Sequence, residues 1–191
     1  QAEDGIRDLV RSRGLGDVYK RQIFIDIGAN IGYFSVLASK NAGDSGKVYS
    51  FEPAPENFKV LKKNIQFNHC KNVVAENAAV SDSTGKINFY LNELDQGVHK
   101  VYETNDYTKK VTVEAVALDG YFKSGFPDIK LIKIDVEGAE LSVLQGMTGL
   151  LEHCRKVRLM LEFAPKDILR FGRLPEEYLD WLLNHGFTIY N

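Results

Sequence analysis

The feature that most constrains the fold is a repeated alternation between short apolar segments and amphipathic helical segments. It is clearest in IFIDIGANIGYFSVLAS (23–39), where an apolar run passes through an acid, glycines follow, and a helical pattern begins. Strand–helix units repeated along one chain predict an α/β fold, a doubly wound and mainly parallel sheet with helices on both faces. One domain of this class accounts for the chain from residue 23 onward.

The individual elements follow from the same periodicity. Strands of the main sheet are predicted at 23–27, 47–53, 72–80, 131–138, 156–163 and 187–191. The helices between them present apolar faces made of Phe34, Leu37 and Ala38, of Phe58, Leu61 and Ile65, of Leu141, Leu144 and Leu151, and of Tyr178, Leu179, Leu182 and Leu183. Two further segments, 86–92 and 110–118, alternate with period two as half-buried strands do, which predicts a β-hairpin insertion.

Composition excludes several classes of partner. The formal net charge of the 191 residues is -2, so nothing suggests a nucleic acid or a membrane surface. No apolar stretch approaches the roughly 18 residues of a membrane span. Cys70 and Cys154 form neither a disulfide framework nor a ligand cluster, and we interpret them as reduced thiols of a cytoplasmic protein.

The glycine turn DIGANIG (26–32) indicates a ligand site. In open α/β sheets, ligands bind beyond the carboxyl ends of the strands where the strand order reverses. Gly28 permits a sharp turn there, and Gly32 permits a close approach of a ligand or helix. Glu52 ends the second strand, where a carboxylate can accept hydrogen bonds from both hydroxyls of a ribose. These residues predict an adenosine-type ligand, although a purely structural glycine turn is the alternative.

Two such ligands compete, a nicotinamide dinucleotide and S-adenosylmethionine. The G-x-G-x-x-G spacing of dinucleotide sites is absent, since the chain reads G-A-N-I-G. Asp26 lies beside the turn, and two like unit charges about 4 Å apart repel by about 4 kcal/mol at an effective dielectric near 20. A ligand with an ammonium and a sulfonium is favoured over a pyrophosphate. A nicotinamide-dependent oxidoreductase and a non-catalytic cofactor-binding domain stay open as alternatives.

Several motifs resemble a known family. DIGANIGYFS followed by FEP resembles the class I S-adenosylmethionine-dependent methyltransferases. Within that class, IKIDVEGAE (132–140), VLQG (143–146), AVSDSTG (79–85), the V-x-x-L-D motif ending at Asp119, and LEF (161–163) resemble the FkbM family. The resemblance implies an O-methyltransferase that uses S-adenosylmethionine and acts on a sugar or a small-molecule metabolite.

The resemblance also implies roles for individual residues. It implies that the methionine end of the cofactor lies near Asp26, Gly28, Asn30 and Gly32, and that Tyr33 and Phe34 border the pocket. It implies further that Glu52 holds the ribose and that Asn77 and Ala78 lie beside the adenine. Asp135 would then lie over the reactive end of the cofactor. Asn77 departs from the acid often found at its position, which makes its contact less certain.

Transfer of a methyl group to a hydroxyl also requires removal of a proton. Asp135 and Glu137 at the end of one strand, and Glu162 at the end of the next, are the predicted catalytic acids. Asp135 and Glu137 would share a face if the strand stayed extended. The three could also hold Mg²⁺, but nothing in the sequence demands a metal, and none is predicted. Glu140 is ascribed to a favourable interaction with a helix dipole.

The segment 92–110 is too long for a tight hairpin, and connections of this length are usually functional or disordered. His99 within it is a further candidate base, and Tyr102 and Tyr107 are candidates for a lid or acceptor wall. A surface insertion without function is the alternative. The sequence does not identify the acceptor.

The ends of the chain are treated separately. RSRGLGDVYKRQ (11–22) resembles translated read-through of a sequencing adaptor, so residues 1–22 are expected to be non-native, with an N-terminal helix or tail as the alternative. Methyltransferase sheets of this type usually finish with an antiparallel hairpin, and 187–191 supplies only one strand. We therefore expect a domain over 23–191 that is incomplete at its C-terminus and exposes a sheet edge.

Overall fold

The fold is that of a computed structural model, which describes residues 22–92, 100–102, 107 and 109–190. The predictions for residues 1–21, for His99 and for most of the 92–110 connection lie outside the described residues.

The strands and helices alternate along the chain as the periodicity predicts. The strands are β1 (Ile23–Ile27), β2 (Lys47–Phe51), β3 (Val73–Glu76), β4 (Ala79–Val80), β5 (Gly85–Leu91), β6 (Lys109–Val116), β7 (Ile129–Ile134) and β8 (Arg158–Leu161). The helices are α1 (Tyr33–Ala42), α2 (Pro55–Phe67), α3 (Leu118–Tyr121), α4 (Glu140–Gln145), α5 (Thr148–His153), α6 (Pro165–Arg170) and α7 (Pro175–Asn184). The short helices α3 and α6 carry no pattern long enough to be predicted.

The strands form two sheets among the described residues. Five strands pair in the order β3-β2-β1-β7-β8, every neighbouring pair being parallel. The order reverses between β1 and β7, so the crevice at that point is where a ligand is expected. The other sheet, in the order β4-β6-β5, contains the antiparallel pair β5–β6 that forms the insertion. The predicted doubly wound α/β fold with a hairpin insertion is confirmed.

The two central strands carry the core. Ile25 and Ile27 of β1 and Ile132 and Ile134 of β7 are each at most 1% exposed. Helices cover both faces of this sheet, so its strands read as continuous apolar runs rather than as alternating ones. Full burial of one such side chain contributes about 1.5–3 kcal/mol to the free energy of unfolding. This burial holds β1 and β7 together as neighbours, and their carboxyl ends therefore lie side by side.

Helix α1 packs differently from the prediction. Its buried residues are Ser35, Ser39 and Ala42, whereas Phe34 of the predicted apolar face is 37% exposed. The physical reason is a buried polar network: Ser35 Oγ donates to Asp26 Oδ2 at 2.6 Å, and Ser50 Oγ donates to Ser35 Oγ at 2.8 Å. Hydrogen bonds to the sheet, rather than apolar contacts, set the rotation of this helix.

The predicted strand at 187–191 is wrong over the residues that the structure describes. Residues 187–190 form no strand, and β8 pairs with β7 alone within the described part of the chain. A strand requires a neighbouring strand, and in the described part of the chain 187–190 pair with none; the backbone N–H of Phe187 instead donates to the carbonyl oxygen of Leu182 at 3.1 Å. Over the same part of the chain, the helices are all too short or too polar to cross a lipid bilayer.

Candidate active site

A cavity opens at the carboxyl ends of β1 and β7, where the strand order reverses. Of the residues predicted for the site, the cavity is lined by Gly28, Asn30, Tyr33, Phe34, Glu52, Ala78, Asp135 and Glu137. Phe89 of β5 and Val101 of the insertion also line it. Asp26, Gly32, Asn77 and Glu162 do not line it, and their positions are described below.

The turn after β1 is held between the ends of β2 and β7. The backbone N–H groups of Gly28 and Ala29 both donate to the carbonyl oxygen of Phe51, at 3.1 and 3.0 Å. Gly28 has a positive φ of 74°, and a Cβ placed on it would lie 1.9 Å from the carbonyl oxygen of Asp135. No other residue fits here, because the backbone of the turn is in contact with that of the neighbouring strand end. Gly32 instead packs against Leu61 of α2.

Glu52 forms one wall of the cavity directly after β2. Its carboxylate accepts hydrogen bonds from the backbone N–H of Asn30 at 2.7 Å and of Ala54 at 2.8 Å. Burial raises the pKa of this carboxyl to about 7, and the two backbone hydrogen bonds oppose that rise. Asn77 supports the same strand end, since its Nδ2 donates to the carbonyl oxygens of Glu52 and Pro53 at 2.8 and 3.1 Å.

Asp26 lies in β1 beneath the cavity and is fully buried. Its Oδ2 accepts the Ser35 hydroxyl, and its Oδ1 lies 3.5 Å from Nζ of Lys133 without a hydrogen-bond partner. Burial raises the pKa of the Asp26 carboxyl, whereas Lys133 and Ser35 act in the opposite direction. The acids placed to repel a phosphate in the cavity are therefore Glu52 and Asp135, which line it, and not Asp26 as the sequence predicts.

Lys133 is a cavity residue that the sequence analysis does not predict. It lies in β7 opposite Asp26 and is 5% exposed, and it lines the cavity. Its Nζ donates to the carbonyl oxygen of Gly28 at 2.9 Å and lies 3.2 Å from Asp135 Oδ2. The available signal was a lysine between two isoleucines near the end of a buried strand, because lysine is almost never buried without a partner.

Three carboxylates converge beside the cavity, and two of them line it. Each of Asp135, Glu137 and Glu162 offers an oxygen, and these oxygens all lie within 4.8 Å of one another. Burial raises the pKa of Glu162 to about 7, and the charges of Asp135 and Glu137 act in the same direction. Carboxylates this close can share and accept protons, and the same set could ligate a divalent cation such as Mg²⁺.

The convergence of these acids depends on a turn rather than on an extended strand. β7 ends at Ile134, and Glu137 adopts a positive φ of 57°, which is uncommon for a residue other than glycine. The next residue, Gly138, has no room for a side chain, since a Cβ would lie 2.6 Å from backbone atoms of Asp167. Backbone strain of this kind is typical of functional sites.

Glu140 holds this turn together. Its role is therefore larger than the interaction with a helix dipole that the sequence predicts. It is 1% exposed, and its Oε1 accepts hydrogen bonds from the backbone N–H of Val136 at 3.2 Å and of Gly138 at 3.1 Å. The acid of the DVEGAE motif that is farthest from the cavity therefore positions the two that line it.

The insertion is attached to this acidic cluster by Lys100. Its Nζ contacts Asp167 of α6 and donates to Tyr102 Oη at 3.0 Å, and it lies 3.8 Å from Glu137 Oε2. Burial raises the pKa of Glu137, and the Lys100 charge lowers it. Residues 100–102 of the predicted acceptor wall thus contact the acidic cluster through Lys100. Tyr107, the other aromatic candidate, packs edge-on against Tyr90 of β5.

Other motif residues serve the fold instead of the cavity. Asp119 accepts hydrogen bonds from the backbone N–H of Gly149 at 2.9 Å and of Leu150 at 2.8 Å, at the first turn of α5. At Gly146, a Cβ would lie 1.9 Å from the carbonyl oxygen of Ser81. Asp119 thus connects the start of α5 with α3, and Gly146 packs the end of α4 against the segment that leads into the insertion.

Comparisons with known proteins agree with this arrangement. The methyltransferase FkbM domain matches residues 26–189. Hexuronic acid methyltransferase AglP of Haloferax volcanii is 30% identical over 170 residues, which cover 87% of this chain and 67% of the relative. Methyltransferase sdnD of Sordaria araneosa is 35% identical over 165 residues, which cover 70% of this chain and 62% of the relative. The chain thus spans about two thirds of the length of these curated relatives.

A solved structure has the same fold. The methyltransferase FkbM of Methylobacillus flagellatus KT superposes with a TM-score of 0.57 at 18% identity, over 85% of this chain and 37% of that chain. The likeness in fold and the match over nearly all described residues lead to one conclusion. This chain belongs to the FkbM family of methyltransferases.

Proposed function

We propose that this protein binds S-adenosylmethionine in the cavity beside the Gly28 turn and catalyses transfer of its methyl group to a hydroxyl of a sugar or small-molecule metabolite. One observation carries the proposal. One cavity at the switch point of the sheet is lined by the buried Glu52 and by Asp135 and Glu137, whose carboxylates converge with that of Glu162 beside it.

The polar groups of the cavity fit the methyl donor. Glu52 uses its two oxygens for backbone N–H groups, and each oxygen keeps a further lone pair that can accept a ribose hydroxyl. The absence of a side chain at Gly28 lets a ligand approach the backbone of the turn. Asp135 lines the cavity next to this turn, so its charge favours an ammonium or sulfonium over a phosphate.

The acidic end of the cavity fits proton removal from the acceptor. S-adenosylmethionine, when bound, supplies a methyl group on a sulfonium, whose displacement releases a neutral thioether. The chain itself must align the acceptor and take its proton. A base with a pKa near the working pH is suited to this task, and Glu162 has that property beside Asp135 and Glu137. A placed base contributes about 10²–10⁴-fold to the rate of such a reaction.

Apolar side chains complete the pocket. Phe34 of α1 and Val101 of the insertion both line the cavity. Exclusion of water strengthens the electrostatic interactions inside the site and protects the donor. A sugar-like acceptor is supported by the similarity to a hexuronic acid methyltransferase, and the acidic cluster offers several acceptors for sugar hydroxyls.

Titration calorimetry with S-adenosylmethionine and S-adenosylhomocysteine tests the proposal. We expect both to bind, and we expect Asp135→Asn to weaken binding of the cationic donor. Asp128→Asn is the matched control, because Asp128 precedes the same strand and its side chain is 76% exposed. A folded protein that binds neither compound, or that binds NADH instead, would contradict the proposal. An assay that detects S-adenosylhomocysteine release with a panel of glycans and hydroxylated metabolites then identifies the acceptor.

A further inference from the structure

Lys133 is the most enclosed cation of the site. Its ammonium has neighbours from three directions: the Gly28 carbonyl oxygen at 2.9 Å, Asp135 Oδ2 at 3.2 Å and Asp26 Oδ1 at 3.5 Å. The ring of Phe34 lies over the ammonium, 5.3 Å from it. A buried lysine is tolerated only when its charge is compensated, so these contacts belong together as a set.

Each contact connects Lys133 with a different part of the donor pocket. Gly28 belongs to the turn after β1, and Asp135 is the first residue after β7. Asp26 lies opposite Lys133 in the register of the two strands. The side chain therefore fixes the relative positions of the glycine turn and the Asp135 carboxylate, which both line the cavity.

The charges at this point follow from the same contacts. Asp26 and Asp135 carry one negative charge each when ionised, and Lys133 compensates one of them. With Lys133 in place, the group has a net charge of minus one. Its local field attracts a cation less strongly than the two carboxylates alone would.

We infer that Lys133 is a positioning and charge-setting residue of the methyl-donor pocket, which holds Asp135 and the Gly28 turn in place and sets how strongly the pocket prefers the cationic donor over its neutral product. The inference rests on the proposed function. S-adenosylmethionine carries a sulfonium that S-adenosylhomocysteine lacks. Loss of positioning weakens both ligands alike, whereas a change of local charge alters the ratio of their Kd values.

The ratio of the two Kd values, measured by titration calorimetry, separates these effects. Lys133→Met should shift the ratio toward S-adenosylmethionine by about tenfold, a change of about 1.4 kcal/mol. Asp26→Asn should shift it by a similar factor toward S-adenosylhomocysteine. The double variant Asp26→Asn with Lys133→Met restores the net charge and should return the ratio to within about threefold of the wild type. Lys133→Arg keeps the charge and should keep the ratio.

The controls distinguish the possible failures. Lys130→Met is the matched control, because Lys130 lies on the same strand, pairs with the exposed Asp128 and does not line the cavity. It should leave both Kd values unchanged. If Lys133→Met does not fold, Asp26→Asn and the double variant still decide the outcome. An unchanged ratio in Lys133→Met, or a double variant whose ratio equals that of Asp26→Asn, overturns the inference. Failure of the wild type to bind either ligand overturns the proposed function itself.

Discussion

Replacing Glu52 by Gln should change the stability of the protein by an amount that depends on pH. Burial raises the pKa of Glu52 from 4.5 to about 7 in the folded state. The unfolded chain therefore releases this proton at a lower pH than the folded chain does. Between these two values the folded state holds more protons, so the free energy of unfolding contributed by this group falls as the pH rises.

The size of the effect follows from the shift. At about 1.36 kcal/mol per pKa unit, the interval from 4.5 to about 7 corresponds to about 3 kcal/mol. Gln cannot ionise, so the variant lacks this decline. Gln also cannot accept both N–H groups as the carboxylate does, since one of its two polar atoms is a donor. The variant should thus have a lower free energy of unfolding than the wild type at acidic pH. Above neutral pH this deficit should become smaller.

Urea denaturation of both proteins at about pH 5 and about pH 8 measures this difference. Between these two pH values the difference in unfolding free energy between variant and wild type should move by about 2.5 kcal/mol in favour of Gln, because part of the decline lies below pH 5. Titrations elsewhere in the chain cancel in the comparison. Glu56→Gln is the matched control, because Glu56 is fully exposed on α2 and its replacement should show no comparable trend. A difference that is the same at both pH values would show that Glu52 ionises as an exposed acid does.

Three further changes test other parts of the structure. Gly28→Ala should destabilise the fold by about 2 kcal/mol or more and abolish S-adenosylhomocysteine binding in calorimetry, because its Cβ would collide with the Asp135 carbonyl; retained affinity would refute the close contact. Asp119→Ala should cost about 1–2 kcal/mol in urea denaturation and leave that affinity unchanged, since two N–H groups of α5 lose their acceptor; weakened binding in folded protein would contradict a purely structural role. Lys100→Met should accelerate amide exchange in β5 and β6 by about tenfold, because the insertion then loses its ion pairs with Glu137 and Asp167. Lys86→Met removes an exposed ion pair on the same hairpin and should not, and equal effects of the two changes would contradict the role of Lys100.

The main sheet could be predicted from the sequence because its strands are buried on both faces. Such strands read as apolar runs of strand length, and the glycine turn and the acids at their ends locate the cavity without any tertiary information. Glu52 and Asp135 could be assigned to the same site for this reason. Both follow strands whose carboxyl ends meet at one edge of the sheet.

The supporting residues could not be predicted because their roles depend on contacts between distant parts of the chain. Lys133 acquires its role from the register of β7 against β1, which places Asp26 opposite it. Glu140 acquires its role from the strained turn that precedes it, and the sequence signals of a helix N-terminus do not distinguish a buried acid from an exposed one. The face of α1 was missed for a similar reason, since Ser35 is buried only because Asp26 offers an acceptor.

The distribution of charge connects these supporting residues with the cavity. Among the described residues around the cavity, two lysines each lie close to two carboxylates. Lys133 lies close to Asp26 and Asp135, and Lys100 lies close to Glu137 and Asp167, so each lysine can neutralise only one of its two neighbours. Glu52 and Glu162 add to the excess, and burial keeps both of their pKa values near 7. A cation that enters the cavity lowers the energy of every one of these ionised groups, whereas an anion raises it. A positively charged ligand would therefore relieve part of the repulsion among these carboxylates, which supports the proposed preference of the cavity for a cationic methyl donor.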